Sequence, residues 1–427
     1  MRQDGSLIDR ARREAGIFPR QFWLLAGGMF VYLTGVEMAY PFVTLYLTGR
    51  LGVSTSTVGL ILGLTVLAGL PFQIVGGALT DRLGRRPVIA LGVAGSAALY
   101  LALGLVNDLT LLVAFIAWEA ALGWPMFLTA SNAMIADLTP FERRTEAFGI
   151  TRVAVNGGMV VGPLLAGMVL VADPSFRSSF LLGGTICCAF LLIVALGLRE
   201  TRPARGERRR EPLGGYGVVL GDRRFLLFCL AALLPLYGFG QIWSIFPVAL
   251  AQSQGIAPET WSRLLALYAL SGTILQYPVI RLVRRRDAML LMACASALIG
   301  VGLGGAVLVP FGWATRALFV AVALGVMLLI PISTTVVSRL APAELRGRYM
   351  GAWTLVWLSG YALGPLLGGM AVDTLGPKEA YVLVALTGLG GAALFPLLRA
   401  RLRPAESAEE TAALQAAEVA AEELPVR

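Results

Sequence analysis

The chain has 427 residues; 57% are hydrophobic, only 14% are charged, histidine is absent, and the mean hydropathy is +0.75. Soluble domains average about 45–50% apolar and about 25% charged residues, so this composition excludes an ordinary soluble enzyme, a disordered chain and a collagen-like one. The net charge of +9 and pI of 9.8 come from short basic clusters between apolar runs, a topogenic pattern rather than a nucleic-acid-binding one. The four cysteines (Cys187, Cys188, Cys229, Cys294) all lie inside apolar runs without C-x-x-C spacing, which argues against disulfides and thiolate metal sites. Without histidine, a histidine-ligated metal or histidine-based triad is impossible.

A spanning helix needs about 20 apolar residues. In chain order the apolar runs predict twelve spans, at about 22–48, 56–80, 87–106, 109–136, 146–172, 178–198, 225–252, 262–283, 288–310, 316–338, 348–373 and 379–398. The first run follows a basic segment, as a signal peptide would. It far exceeds a signal core of about 7–15 residues and lacks an A-x-A-like exit, so it reads as a retained span. If the N-terminus is cytoplasmic, 29 of the 35 Lys and Arg fall on inner segments and five in outer loops, with Arg152 inside a span. That asymmetry predicts both termini inside. The longest internal break, 199–224, is rich in Arg and divides the spans six and six. The predicted domains are an N-terminal bundle (1–198), a cytoplasmic linker (199–224), a C-terminal bundle (225–400) and an Ala/Glu-rich cytoplasmic tail (401–427).

The halves repeat at an offset of 202. Residues 140–167 read PFERRTEAFGITRVAVNGGMVVGPLLAG, and residues 342–369 read PAELRGRYMGAWTLVWLSGYALGPLLGG. Pro140, Glu142, Arg144, Gly149, Gly158, Gly162, Pro163 and Gly167 each meet the same residue 202 positions later. Duplicated six-span halves with a site between them are a transporter architecture. Gly158, Gly162 and Ala166 share one helical face, as do Gly360, Gly364 and Gly368. Small residues at this spacing let helix backbones approach closely, and Pro163 and Pro365 disturb the ladder locally. Plain helix packing and a functional bend are both open readings of these residues.

Residues 77–86, GALTDRLGRR, end the second span on an expected cytoplasmic loop. They resemble the loop 2–3 signature of the major facilitator superfamily, and the run from Gly149 to Gly167 is similar to the span-5 signature of its proton-coupled antiporters. The resemblance covers all twelve spans and points to the twelve-span drug:proton antiporter branch. It implies an all-α membrane protein with two pseudo-symmetric six-helix bundles, a cytoplasmic gate and no cofactor. Carried over residue by residue, Gly77 packs against span 11, Asp81 faces that helix's N-terminus near Arg346–Gly351, and Arg85 pairs with Asp137. Arg82, Gly84 and Arg86 complete the gate. In one place the chain departs from the family: where the span-4 signature has Arg four residues before a Gly, Glu119 stands before Gly123.

Only Glu37 and Glu119 among the 26 acidic residues lie well inside spans. An ionised side chain at mid-bilayer costs about 3 kcal/mol on insertion scales, and a neutral carboxyl is tolerated far better. These glutamates are therefore the expected proton-coupling groups, with Arg152 in span 5 either a third member or a fixed structural partner of Glu119. The substrate cavity is expected to involve Glu37, Asn156, Gln241, Trp243, Gln276, Tyr277, Trp357 and Tyr361, an aromatic and amide lining suited to amphiphiles. The leading expectation is a monomeric exporter of hydrophobic or amphipathic compounds in exchange for protons, in a bacterial cytoplasmic membrane. A symporter or carrier of sugars, metabolites or lysolipids is the alternative within the fold, and a membrane enzyme or sensor the alternative outside it. No Walker-type phosphate loop is present, which argues against ATP as the energy source.

Overall fold

The computed structural model describes residues 18–202, 216–283 and 285–402. The predicted tail beyond Leu402, the basic N-terminal segment before Phe18 and most of the linker lie outside the described residues. Among the described residues, twelve helices are long and apolar enough to cross a membrane. Span 1 is Arg20–Gly49, span 2 Thr55–Leu83, span 3 Arg85–Leu105, span 4 Leu109–Leu138, span 5 Arg144–Ala172 and span 6 Arg177–Gly197. A short helix, Tyr216–Gly221, precedes span 7, Arg223–Gln241 with its continuation Ile245–Gln254. Span 8 is Pro258–Val283, span 9 Ala288–Leu308, span 10 Trp313–Leu340, span 11 Arg346–Leu375 and span 12 Pro377–Leu402.

Apolar sequence makes these segments helical because a lipid-embedded backbone must satisfy its own hydrogen bonds. Short polar residues set where they begin. Asp108 accepts from Leu111 N at 2.8 Å, Asp222 from Arg224 N at 2.9 Å, and Asp287 from Met289 N at 2.9 Å, each occupying an orphan donor of the first turn.

Two predicted spans are not continuous. Span 1 breaks at a 3-10 turn, Tyr40–Phe42, between Ala39 and Val43, and span 7 breaks between Gln241 and Ile245. Pro41 lacks the N–H that an unbroken helix would use. Ala39 and Gln241 are 202 residues apart, so the breaks obey the sequence repeat. A third irregularity is a π turn, Glu119–Gly123, followed by Trp124–Pro125 in span 4.

Within each half, the glycine stripe of one helix seats on the broken span. A Cβ on Gly158 would lie 2.7 Å from Leu33 Cβ, and one on Gly162 2.6 Å from Glu37 Cβ. A Cβ on Gly360 would strike Leu236 Cβ, and one on Gly364 would lie 2.7 Å from the Gly240 carbonyl carbon. Spans 5 and 11 thus pack on spans 1 and 7 at equivalent positions, which is the pseudo-symmetry of two six-helix bundles. Helix packing is what these glycines do here. Gly149 instead faces open space, and Gly167 abuts Ser262 of span 8.

Candidate functional site: a cleft between the halves

The halves meet on the side opposite the termini. Where span 2 begins and span 11 ends, a Cβ on Gly59 would strike the Pro365 carbonyl, and one on Gly369 the Thr55 carbonyl. The Asp373 carboxylate accepts from Ser56 N at 2.7 Å and Thr55 N at 3.3 Å, placing an anion at the N-terminus of span 2, where the helix dipole favours it. Ser262 Oγ donates to the Pro163 carbonyl at 2.6 Å and Trp261 Nε1 to the Pro41 carbonyl at 3.2 Å. The bend in span 1 is therefore used: it presents a carbonyl to the other half.

Toward the termini the halves part. A Cβ on Gly77, Gly149 or Gly347 would meet nothing within 4 Å, and Tyr277 is 74% exposed. Gly77 accordingly does not pack against span 11 as expected. The two helices touch at their other ends, and their ends on the terminal side stand apart.

At the closed end of the cleft sits Glu37, 7% exposed, one turn before the break in span 1. Among the described residues no hydrogen bond or ion pair reaches its carboxyl. Tyr40, Tyr268 and Tyr361 lie within electrostatic range of it, and the Tyr40 and Tyr361 hydroxyls are 3.0 Å apart, one from each half. Behind Tyr361 the second half forms an aromatic wall. Phe239 lies 5.3 Å from Trp243, 5.4 Å from Trp357 and 5.9 Å from Tyr361; Trp243 lies 5.7 Å from Tyr268, itself 5.4 Å from Phe319. Trp357 and Tyr361 stack at an interplanar angle of 3°. Of the expected cavity residues, Glu37, Trp243, Trp357 and Tyr361 come together here.

The others stand apart. Gln241 is fully buried at the break in span 7, with its amide pressed on Gly368. Asn156 and Gln276 are half-buried on spans 5 and 8. Tyr277 lines a cavity of about 640 Å³ with Pro278, Arg281, Leu282 and Arg285 at the open end of span 8.

Glu119 does not pair with Arg152. Its Oε1 accepts from Ser96 Oγ at 3.2 Å and Trp124 N at 3.3 Å, and Ser96 is 2.8 Å from the Tyr32 hydroxyl. The π turn makes this possible: it frees the Trp124 N–H just before Pro125, and Gly123 leaves room, since a Cβ there would lie 2.8 Å from the Glu119 carboxylate. Arg152 is exposed on span 5 and has no ionic partner among the described residues.

On the terminal side the GALTDRLGRR segment is not a loop. Helix runs through Leu83 and resumes at Arg85, leaving Gly84 alone as the link, at φ +105°. Arg85 is 3% exposed; its Nε donates to Asp137 at 2.7 Å, and its Nη1 lies 3.6 Å from Asp81. Arg86 donates to the Val194 and Ala195 carbonyls, and Arg202 to the Arg82 carbonyl.

Sequence reasoning missed Glu200, whose carboxylate caps span 3 by accepting from Arg85 N at 2.8 Å and Arg86 N at 3.1 Å. Burial pushes this carboxyl up, but four backbone N–H donors outweigh that and hold it below the usual range. No local spacing signals a contact spanning 115 residues. Tyr40, Tyr268 and Phe239 were missed as well; the 202-residue offset applied to Glu37 leads to Phe239 alone.

A twelve-span fold of two symmetric bundles, clasped at one end around a buried acid and open at the other, defines a membrane transporter rather than an enzyme. The chain belongs to the Major Facilitator Superfamily, whose family model matches residues 25–357 and 230–424. It is 29% identical over 375 residues to multidrug resistance protein MdtH of Aeromonas salmonicida, covering 85% of this chain and 87% of that one. It is 24% identical over 375 residues to a Na(+), Li(+), K(+)/H(+) antiporter of Planococcus maritimus, covering 79% and 86%. A solved structure of a mutant nucleoside transporter NupG overlays with a TM-score of 0.75 at 14% identity, covering 89% of this chain and all of that one.

Proposed function

We propose that this transporter is proton-coupled and exports hydrophobic or amphipathic small molecules by alternating access, with bundles 1–198 and 225–400 rocking about the cleft. The two termini, the linker 199–224 and the tail 401–427 face the cytoplasm on this reading, so the conformation described is open inward. The observation that carries it is Glu37: a carboxyl with no partner among the described residues, buried between the halves beside an aromatic wall. An unpaired carboxylate is costly there and a protonated one is not. Substrate in the cleft and a proton on Glu37 would then favour opposite states, each promoting the other's release. MdtH, named for multidrug resistance, and the cation/proton antiporter are relatives consistent with this reading.

The test is substrate-induced proton release from detergent-solubilised protein across pH 6–8, with a screen of lipophilic compounds. Glu37→Gln should abolish the release and proton-driven transport while sparing substrate binding. Unchanged release in that variant overturns the assignment to Glu37. Glu119, already held by two donors, is the residue whose Gln variant should then lose it.

A further inference from the structure

Arg152 is a guanidinium inside a membrane span with no anion of its own among the described residues. Arginine stays charged under all ordinary conditions, and an unpaired charge in a span is costly. The carboxylates that might have answered it are engaged or distant. Glu119 is bonded to Ser96 and Trp124, Asp137 to Arg85, and Glu146 to Arg143. Glu37 sits at the level of Gly162, ten residues and so about 15 Å along the axis.

Helix geometry fixes where the guanidinium looks. Taking about 100° per residue, Arg152 lies about 60° from Gly167, which abuts span 8, and about 80° on the other side from Gly162, which abuts span 1. The exposed Val153, Leu164 and Met168 lie about 100°, 120° and 160° away, on the far side of Gly167. Arg152 therefore points into the cleft rather than toward lipid. Ser262 opposes Pro163 on an antiparallel span 8, so the same count along the axis sets Arg152 level with Thr273–Gln276. Beyond it, Arg281 and Arg285 line the cavity at the mouth.

We propose that the substrates are anionic amphiphiles, with an aromatic or aliphatic body against Phe239, Trp243, Trp357 and Tyr361 and a carboxylate, sulfonate or phosphate on Arg152. This rests on the transporter reading above and names its substrate class. A lipophilic cation would have to pass an uncompensated guanidinium, whereas an anion supplies the missing partner through charge-assisted hydrogen bonds.

The experiment is equilibrium dialysis of the detergent-solubilised full chain with three probes sharing one body: pyrenebutyrate, pyrenebutanol and pyrenebutyltrimethylammonium. The wild type should bind the carboxylate about tenfold or more tighter than the ammonium, the scale of one charged hydrogen bond. Arg152→Gln should erase that preference while leaving the alcohol's affinity unchanged, and Arg152→Lys should keep part of it. Tighter binding of the ammonium by the wild type, equal loss of all three probes in Arg152→Gln, or no binding of any probe by the wild type overturns the proposal. Failure of the proton reading looks different. Carboxylate binding that needs Arg152, with proton release unchanged in Glu37→Gln, sinks that reading and keeps this one. An ammonium that alone binds and releases protons through Glu37 does the reverse.

Discussion

The carboxylate of Asp373, at the end of span 11, accepts the backbone N–H of Ser56 at the start of span 2, at 2.7 Å. The resemblance led to the expectation of this device at the other end, with Asp81 at the end of span 2 answering the N-terminus of span 11. Asp373 carries no motif in the sequence, yet its carboxylate joins the halves by accepting from the first N–H groups of span 2.

Removing the charge should loosen the closed side. In an otherwise cysteine-free background, Thr55→Cys places a thiol that is 2% exposed under the clasp. Adding Asp373→Asn should raise its labelling rate by a membrane-impermeant maleimide about tenfold, since charge-assisted hydrogen bonds contribute about 1.5–3 kcal/mol each. Labelling that is unchanged would mean that the glycine contacts alone hold this side.

Tyr40 and Tyr361 bridge the halves at 3.0 Å. A double-mutant cycle with Tyr40→Phe and Tyr361→Phe, read on thermal unfolding in detergent, should give a coupling of about 1 kcal/mol. Strictly additive effects would show that the hydroxyls act independently.

Gly84 is the residue whose replacement should cost most on the terminal side. Its φ of +105° disfavours any side chain, and a Cβ would strike a Glu200 carboxylate oxygen. Gly84→Ala should lower stability by about 2 kcal/mol or more, measured by unfolding in detergent. Glu200→Gln should be milder, because the amide keeps one acceptor.

Glu200 also predicts a pH effect. Its folded-state carboxyl is depressed below the unfolded value of 4.5, so the stabilisation is complete above that pH and is lost as pH falls below it. Unfolding curves from pH 7 to pH 3.5 should fall off less steeply in Glu200→Gln than in the wild type. Identical slopes would place the acid sensitivity elsewhere.

Gly162→Ala tests the seat of Glu37. The added methyl would lie 2.6 Å from Glu37 Cβ and 2.7 Å from the Thr34 carbonyl, forcing spans 1 and 5 apart at a cost of about 1–3 kcal/mol. Substrate-induced proton release should shift in pH while Gly149→Ala, which faces open space, leaves it unchanged.

The spans were legible because their signal is local: length and hydropathy alone locate a helix in lipid. Arg85 and Asp137 were named only because a motif fixed their spacing. Glu37 stood out because a charge in an apolar run is rare. What stayed hidden depends on contacts across the chain: Glu200 on the start of span 3, Asp373 on span 2, and Tyr268 opposite Glu37. The Glu119–Arg152 pair, one of the two readings open for Arg152, does not form; the Trp124 N–H and the Ser96 hydroxyl hold Glu119 instead. Composition does not foretell a π turn.

That turn has a consequence about 20 Å away along the helix axis. A π turn accommodates one residue more than an α turn, so everything after Gly123 is rotated about 100° relative to an uninterrupted helix. Asp137 owes its bearing on Arg85 to that added residue. Excising Ala121 should let span 4 relax into regular α geometry and swing Asp137 off Arg85 of span 3, leaving that buried guanidinium with Asp81 and the Thr80 carbonyl. The irregularity beside Glu119 is thus the phase setting by which a single continuous rod serves two sites with different angular demands.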